Sequence, residues 1–125
     1  MAAACIVLVV EDEPLIRMDL VDRLSRFGCA ALEAGSAAEA IAILEQHREI
    51  TVVFTDVQMP GTMDGIELAQ YVRKRWPPTV IVVSSGKAFP EKGELSPDIP
   101  ILAKPYNEGV LKSVVADVRA RISAI

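Results

Sequence analysis

Short apolar runs alternate along the chain with segments whose apolar residues recur every three or four positions. Cys5 to Val10 is a continuous apolar run and reads as a first strand. Pro14 then suits the first turn of a helix, and Ile16, Leu20, Leu24 and Phe27 follow at helical spacing until Gly28 stops it. Ala30 to Ala34 is a weaker second strand. Ser36-Ala37-Ala38-Glu39 reads as a capping box, opening an Ala-rich helix that runs to about His47. Ile50 to Thr55 is the third strand. Asp64-Gly65-Ile66-Glu67 repeats the capping pattern before a helix carrying Ile66, Ala69, Tyr71, Val72 and Trp76, which Pro77-Pro78 ends. Val80 to Val83 is wholly β-branched, as expected of a strand covered on both faces. Ile101-Leu102-Ala103 is the fifth run. Asn107 caps a last helix, whose Leu111, Val114, Val115, Val118 and Ile122 line one face.

Strand alternating with helix in this way predicts an α/β fold, because parallel strands need crossovers and the crossovers cover both faces of the sheet. The fourth crossover is the exception: Lys87 to Pro100 contains Pro90, Pro97, Pro100 and Gly93, so only a short or irregular helix is expected there. With 125 residues, half of them apolar, residues 1–125 are expected to form a single domain with one continuous core.

Charge and composition narrow the class. A net charge of −4 argues against nucleic acid or an anionic membrane as partner. No apolar stretch approaches the ~20 residues of a membrane span, and Met1-Ala2-Ala3-Ala4-Cys5 lacks the basic flank of a secretory signal. A cytoplasmic location is therefore expected. Cys5 and Cys29 are too few for a disulfide framework or a zinc site, and both read as reduced, packed thiols.

The candidate chemistry stands at the ends of the strands. Asp56 follows the third run, Glu11-Asp12 the first, Ser84 the fourth and Lys104 the fifth. In a parallel sheet those carboxyl ends share one edge, where side chains distant in sequence meet in a shallow crevice. Three acids, a hydroxyl and an ammonium would converge there. Crowded carboxylates have raised pKa values unless a counterion is present, and a hard divalent cation with oxygen ligands resolves the conflict. Taken alone, each station has a plainer reading: a solvated strand end for Asp56, a helix N-terminus favoured by Glu11 and Asp12, and a surface lysine for Lys104. His47 reads as a solvated residue at a helix end, and Tyr71 and Trp76 as core or boundary packing.

Five motifs in register give the chain a family resemblance. Val10-Glu11-Asp12-Glu13-Pro14, Thr55-Asp56-Val57-Gln58-Met59-Pro60-Gly61, Met63-Asp64-Gly65, Val83-Ser84-Ser85-Gly86 and Leu102-Ala103-Lys104-Pro105-Tyr106 together resemble the response-regulator receiver domain of two-component signalling. The resemblance implies a doubly wound, flavodoxin-like (βα)5 fold with strand order 2-1-3-4-5, an order the handedness and alternation of the elements leave open. It implies that Asp56 is the phosphoacceptor, served by Lys104 and Ser84. Mg²⁺ would be bound directly by Asp12 and Asp56, through water by Glu11, and by the backbone carbonyl of Gln58. The donor would be a sensor histidine kinase, and the chain a signalling phosphoacceptor that catalyses only its own phosphorylation and dephosphorylation. Output would pass through Ser84, Ser85, Ile101, Pro105 and Tyr106 to an unknown downstream protein, the chain acting as a monomer or a phosphorylation-dependent dimer. A cis peptide before Pro105 is also implied.

Two departures stand out. The loop from Met59 to Gly65 is one residue longer than the common form, and Ile101 stands where many receivers carry an aromatic switch residue. Two other classes share parts of the pattern. A haloacid-dehalogenase-like phosphatase uses a similar constellation but needs Asp-x-Asp after its first strand, and the chain has Glu11-Asp12-Glu13. A nucleotide- or flavin-binding module on the same fold needs a glycine- or hydroxyl-rich loop there, and Glu11-Asp12-Glu13-Pro14 would repel phosphate.

Overall fold

The structure is a computed structural model and describes residues 4–86 and 95–123. Its elements run β1 (Ile6–Val10), α1 (Pro14–Arg26), β2 (Ala30–Ala34), α2 (Ala37–Gln46), β3 (Val52–Asp56), α3 (Gly65–Arg75), β4 (Val80–Ser85), β5 (Ile101–Ala103) and α4 (Glu108–Ser123). All strand pairs are parallel and the order is β2-β1-β3-β4-β5. Of the segment expected to hold an irregular helix, residues 87–94 lie outside the described residues. Its remainder, Leu95 to Pro100, forms a turn closed by the Ile99 amide on the Ser96 carbonyl at 3.1 Å.

The strands divide one core into two. Val7 and Val9 of β1 join Phe54, Val82, Leu102 and the inner faces of α1 and α4; Leu8 and Val10 point the other way, toward α2 and α3. This is the two-residue period of a strand covered on both sides. Leu8, Leu24, Leu68, Ile81 and Leu111 are among the fully buried side chains, and each contributes roughly 1.5–3 kcal/mol by leaving water.

Helix ends follow the sequence with one difference. Asp64 and Glu67 form the complete reciprocal box, each side chain accepting from the other's backbone N–H at 2.9 and 3.2 Å. At Ser36 only one half is present: the hydroxyl accepts from the Glu39 amide at 3.2 Å. The Glu39 carboxylate instead lies by Gly35, where a Cβ would meet it at 3.5 Å. Asn107 caps α4 through its Oδ1, which accepts from the Val110 amide at 2.8 Å.

The cysteine reading is corrected by the structure: Cys5 and Cys29 form a disulfide. They sit just before β1 and β2, and the register Ile6↔Ala30 places them side by side with Cα atoms 4.9 Å apart. Counting cysteines could not reveal this, because it depends on which strands are neighbours. Closing a loop of 24 residues stabilises the fold by about 3 kcal/mol in the chain-entropy account.

The turn entering β5 is tied down electrostatically. Asp98 accepts from both Nη atoms of Arg73 on α3, at 3.3 and 3.0 Å, and from the Ser96 hydroxyl, while its carbonyl accepts from Arg121 Nη1 on α4 at 2.6 Å. The Arg73 guanidinium, then the Ser96 hydroxyl, lower the Asp98 pKa to about 2 from 3.8. A depressed carboxylate contributes stability above its unfolded pKa, and that contribution is lost as pH falls through the folded one. Asp98→Asn should therefore cost up to about 1 kcal/mol at pH 7, the range of exposed pairs. It should also shrink the loss of melting temperature between pH 4 and 2, as followed by circular dichroism; an unchanged acid limb would show that the pair adds nothing.

Candidate functional site

The carboxyl ends of four strands meet at one edge of the sheet, and the backbone ladder fixes what stands beside what. Asp56 ends β3 directly opposite Ser84 of β4, and the Val57 amide donates to the Ser84 carbonyl at 2.9 Å. The Glu11 amide extends β1 by donating to the Ala34 carbonyl at 3.0 Å, and the Lys104 amide extends β5 by donating to the Ser85 carbonyl at 2.9 Å. Hydrogen-bonded parallel backbone thus delivers four of the residues singled out in the sequence, Glu11, Asp56, Ser84 and Lys104, to one place.

Their side chains converge. Glu11, Asp12 and Asp56 each present a carboxylate oxygen such that all three lie within 4.8 Å of one another. Lys104 Nζ donates to Glu11 Oε1 at 2.7 Å and stands 3.3 Å from Asp56 Oδ1. Glu11 and Asp56 are buried, with 4% and 9% of their surface exposed, while Asp12 is open to solvent. Burial raises the pKa of Glu11, against the lowering effect of the Lys104 hydrogen bond. Burial likewise raises that of Asp56, with the Lys104 charge acting in the opposite sense. The Lys104 pKa is also raised: desolvation lowers it, but Glu11 and Asp56 together outweigh that.

Three oxygen donors of high charge density, two of them desolvated, fit a hard divalent cation. Mg²⁺ needs one or two carboxylates and keeps its remaining ligands as water, so the exposed Asp12 is as useful to it as the buried Asp56. Gln58, two residues beyond Asp56, is exposed at the same edge.

The remaining expected positions surround this centre without joining the acid cluster. Ser84 and Ser85 are buried, at 3% and 4% exposure. Ile101 pairs with Val83 and is half-buried. Lys104–Pro105 is a cis peptide, as the resemblance implied. The Tyr106 ring tilts against Phe54 at 6.2 Å, and its carbonyl accepts from Arg23 Nη1 at 3.3 Å. His47 is a solvent-side helix end paired with Glu49 at 3.1 Å, and Trp76 packs half-buried beside Tyr71 at 6.1 Å, so the plain readings of all three fit.

Two contributors were missed. Arg17, one turn into α1, donates to the Glu11 carbonyl at 2.8 Å and to Glu33 at 3.0 Å, holding the acidic loop against β2. Its place after Pro14 was visible, but not what it would reach. Gly65 is the other. A Cβ there would lie 1.8 Å from the Asp56 carbonyl oxygen, so α3 can begin against the backbone that carries Asp56 only because residue 65 has no side chain. Its amide donates to the Val57 carbonyl at 2.7 Å. The motif Met63-Asp64-Gly65 contained that signal, read in sequence as part of a helix cap and of the family resemblance.

Comparison with known proteins agrees with this geometry. Residues 7–116 match the family described as response regulator receiver domain. The chain is 36% identical over 104 residues to the transcriptional regulatory protein PdtaR of Mycobacterium tuberculosis, covering 81% of this chain and 50% of that protein. It thus spans about half the length of that relative. Among solved structures, a response regulator receiver protein from Sinorhizobium medicae superposes with a TM-score of 0.86 at 31% identity, covering 94% of this chain and 97% of that one. The response regulator protein TrrA from Thermotoga maritima, in complex with Mg(2+)-BeF, superposes with a TM-score of 0.83 at 26% identity, over 91% and 98%.

The raised acids have a measurable consequence. Glu11 and Asp56 bind protons more tightly when folded than when unfolded, so with chelator present their contribution to stability is full below pH 4 and is lost as pH rises through their folded values. Glu11→Gln should melt about a few degrees higher than the parent chain at pH 7, with the gap closing near pH 4. A variant less stable than the parent at pH 7 would mean that the Lys104 ion pair outweighs the burial of Glu11.

Proposed function

The chain belongs to the response regulator receiver domain family, and on that premise we propose that Asp56 accepts a phosphoryl group from a phosphohistidine of a sensor kinase. The observation that carries this reading is the meeting of Glu11, Asp12 and Asp56 within 4.8 Å, with Lys104 Nζ 3.3 Å from Asp56 Oδ1. Phosphoacceptors of two-component signalling act as signalling domains, and neither the phosphatase nor the nucleotide-binding alternative is favoured. The described elements form one sheet with one core on each face, which supports residues 1–125 working as a single receiver domain.

Asp12 and Asp56 would hold Mg²⁺ directly, with Glu11 acting through water and Gln58 through its carbonyl; the ion supplies charge neutralisation for the transferring oxygens. An Asp56 oxygen attacks phosphorus in line, the P–N bond breaks, and the departing imidazole keeps the electron pair and takes a proton from water. Lys104 faces the same oxygens and stabilises charge building on them. Ser84, opposite Asp56 in the ladder, would be the hydroxyl that meets the product. The same residues then serve autophosphorylation and hydrolysis of the aspartyl phosphate, the only reactions assigned to the chain.

Docking of the donor is supported by α1. Leu15, Ile16 and Met18 are 82, 40 and 58% exposed on the helix that starts beside Asp12. Between Ile16, Leu20, Arg23, Lys104, Pro105 and Tyr106 lies an open groove of about 420 Å³. An apolar helix surface beside the acceptor suits the helical face of a kinase. Among the described residues no helix is long and apolar enough to cross a membrane; a cytoplasmic site of action belongs to the proposed reading, where the kinase donor would be met. Output toward a downstream protein, as monomer or phosphorylation-dependent dimer, would use Ser84, Ser85, Ile101, Pro105 and Tyr106.

Incubation with acetyl phosphate and Mg²⁺ should add one base-labile phosphate, detected by intact mass. Asp56→Asn should abolish it. Asp12→Ala should reduce the labelling rate by tenfold or more, on the order expected for loss of a direct ligand. Full labelling of Asp56→Asn would overturn the assignment.

Lys104 gives a second test. In the unphosphorylated chain it is shared between Glu11 and Asp56, and a phosphoryl group on Asp56, with about −2 charge, is a stronger partner than either. Lys104→Ala should still be labelled but should lose the change in amide exchange across β5 and Tyr106 that phosphorylation causes in the parent chain. An equal change in both proteins would remove Lys104 from the output route.

A further inference from the structure

A second chemical site stands at the opposite edge of the sheet, built around the disulfide. Cys5 and Cys29 precede β1 and β2 and are 4% and 2% exposed. Arg119, from the fourth turn of α4, reaches across to this pair: its Nη2 donates to the Phe27 carbonyl at 2.8 Å and lies 3.8 Å from Cys29 Sγ. Glycine at position 28 leaves room for the end of that side chain where it lies. A Cβ on Gly28 would stand 2.9 Å from Arg119 Nη2, and the residue's φ of +83° suits glycine independently. Beneath the pair is a void of about 10 Å³ lined by apolar side chains including Val7, Leu24, Phe54 and Val118.

A disulfide needed only as a staple gains nothing from a cation. A guanidinium beside a sulfur favours the thiolate, which is the leaving and attacking form in exchange and exists only after reduction. The void gives the two sulfurs somewhere to move when their bond opens, since non-bonded sulfur atoms stand further apart than bonded ones. Arg119 also joins the last turn of α1, through Phe27, to α4, so it touches two helices and one member of the pair at once.

We propose that Cys5 and Cys29 are a reversible dithiol–disulfide couple tuned by Arg119, a site of redox modification separate from the phosphoacceptor. In reduction, a thiolate of a dithiol reductant of the thioredoxin class attacks one sulfur, forms a mixed disulfide and releases the other as thiolate. The reductant's second thiol then displaces the bound cysteine. Two electrons and two protons pass from reductant to protein, and the reductant ends as a disulfide. A small disulfide such as oxidised glutathione runs the sequence backwards. Because both sulfurs are buried, exchange proceeds through opening of the Phe27–Ala30 turn and is slow. In the reduced state Arg119 holds the Cys29 thiolate, and the hold of α1 on β1 through the covalent bridge is gone.

The test is a redox titration of the full chain in buffers of reduced and oxidised glutathione, quenched with acid and read by intact mass after maleimide tagging under denaturant. The expected result is interconversion between two tagged thiols and none, with one midpoint. Arg119→Gln should move that midpoint about tenfold in favour of the disulfide, the effect of losing one charge-assisted contact to the thiolate, and Arg119→Lys should restore part of the shift. Oxidation should also slow amide exchange over residues 24–30. Two free thiols at every glutathione ratio would overturn the proposal, as would a bridge that persists at every ratio until the chain is unfolded. An unmoved midpoint in Arg119→Gln would overturn the tuning. Asp56→Asn should titrate as the parent chain does, so the outcome is independent of whether Asp56 accepts phosphate.

Discussion

The constraint on which the functional edge depends is the excess of negative charge at the ends of three parallel strands. Glu11 and Asp56 are buried beside one another, and Asp12 adds a third carboxylate within 4.8 Å. Among the described residues one lysine, Lys104, answers them. Lys104 reduces the conflict without abolishing it, since burial still raises the pKa of both buried acids. A chain selected only for stability would replace one of these acids with an amide or an apolar residue. Keeping three leaves a site whose electrostatic balance a cation could complete from outside, and which a phosphoryl group on Asp56 would disturb again on the reading proposed above. Both events would then act on the same lysine.

The remainder of the fold holds that arrangement in place by backbone means. Asp56 and Ser84 face each other because β3 and β4 are in parallel register, and Lys104 reaches the site because β5 continues its ladder by one further bond to the Ser85 carbonyl. α3 begins against the Asp56 carbonyl where only glycine fits. Arg17 fixes the Glu11 carbonyl from the opposite side. Sites mounted on strand ends and tied through peptide groups hold their geometry better than sites on free loops. On the proposed reading, what moves on phosphorylation would be attached more loosely than these strand ends. The turn from Leu95 to Pro100 is tied to α3 and α4 by the exposed Asp98, through its carboxylate and its carbonyl, to the sheet by the Val83 amide on the Pro100 carbonyl at 3.0 Å, and to the core by the buried Ile99.

Much of this was legible in the sequence, for identifiable reasons. Continuous β-branched runs such as Val80 to Val83 have no plausible place except a strand buried on both faces, and the acids, hydroxyl and lysine stand directly after such runs. The parallel sheet followed from alternation. Strand order did not, and entered through the resemblance alone. What escaped was everything that depends on which elements become neighbours. Cys5 and Cys29 are 24 residues apart and look like two isolated thiols until β1 and β2 are placed side by side. Arg17, Arg73 and Arg119 are long side chains that reach carbonyls, carboxylates and a sulfur across packed helices and turns, where reach and direction decide the contact and spacing along the chain carries no record of it. Ser36 and Glu39 show the limit at short range too. The motif foresaw the hydroxyl's bond, but the Glu39 side chain lies by Gly35.

Ile101 bears on how the site can communicate. An aromatic side chain on β5 can turn between a buried and an exposed position as its neighbours shift, whereas Ile101 is a half-buried, β-branched residue packed on the α2–α3 side of the sheet and stiff about χ1. Rotation of that residue is a poor carrier of the signal. Lys104 is a better one. It follows β5 directly and is itself followed by the cis-linked Pro105 and by Tyr106, whose ring packs against Phe54 and whose carbonyl is held by Arg23 of α1. A change of partner by the Lys104 ammonium from Glu11 to a phosphoryl oxygen would therefore be felt along a short run of chain in contact with β3 and α1. That route needs no rotating aromatic, because a charged group with two competing anions at 2.7 and 3.3 Å is already the element with two positions.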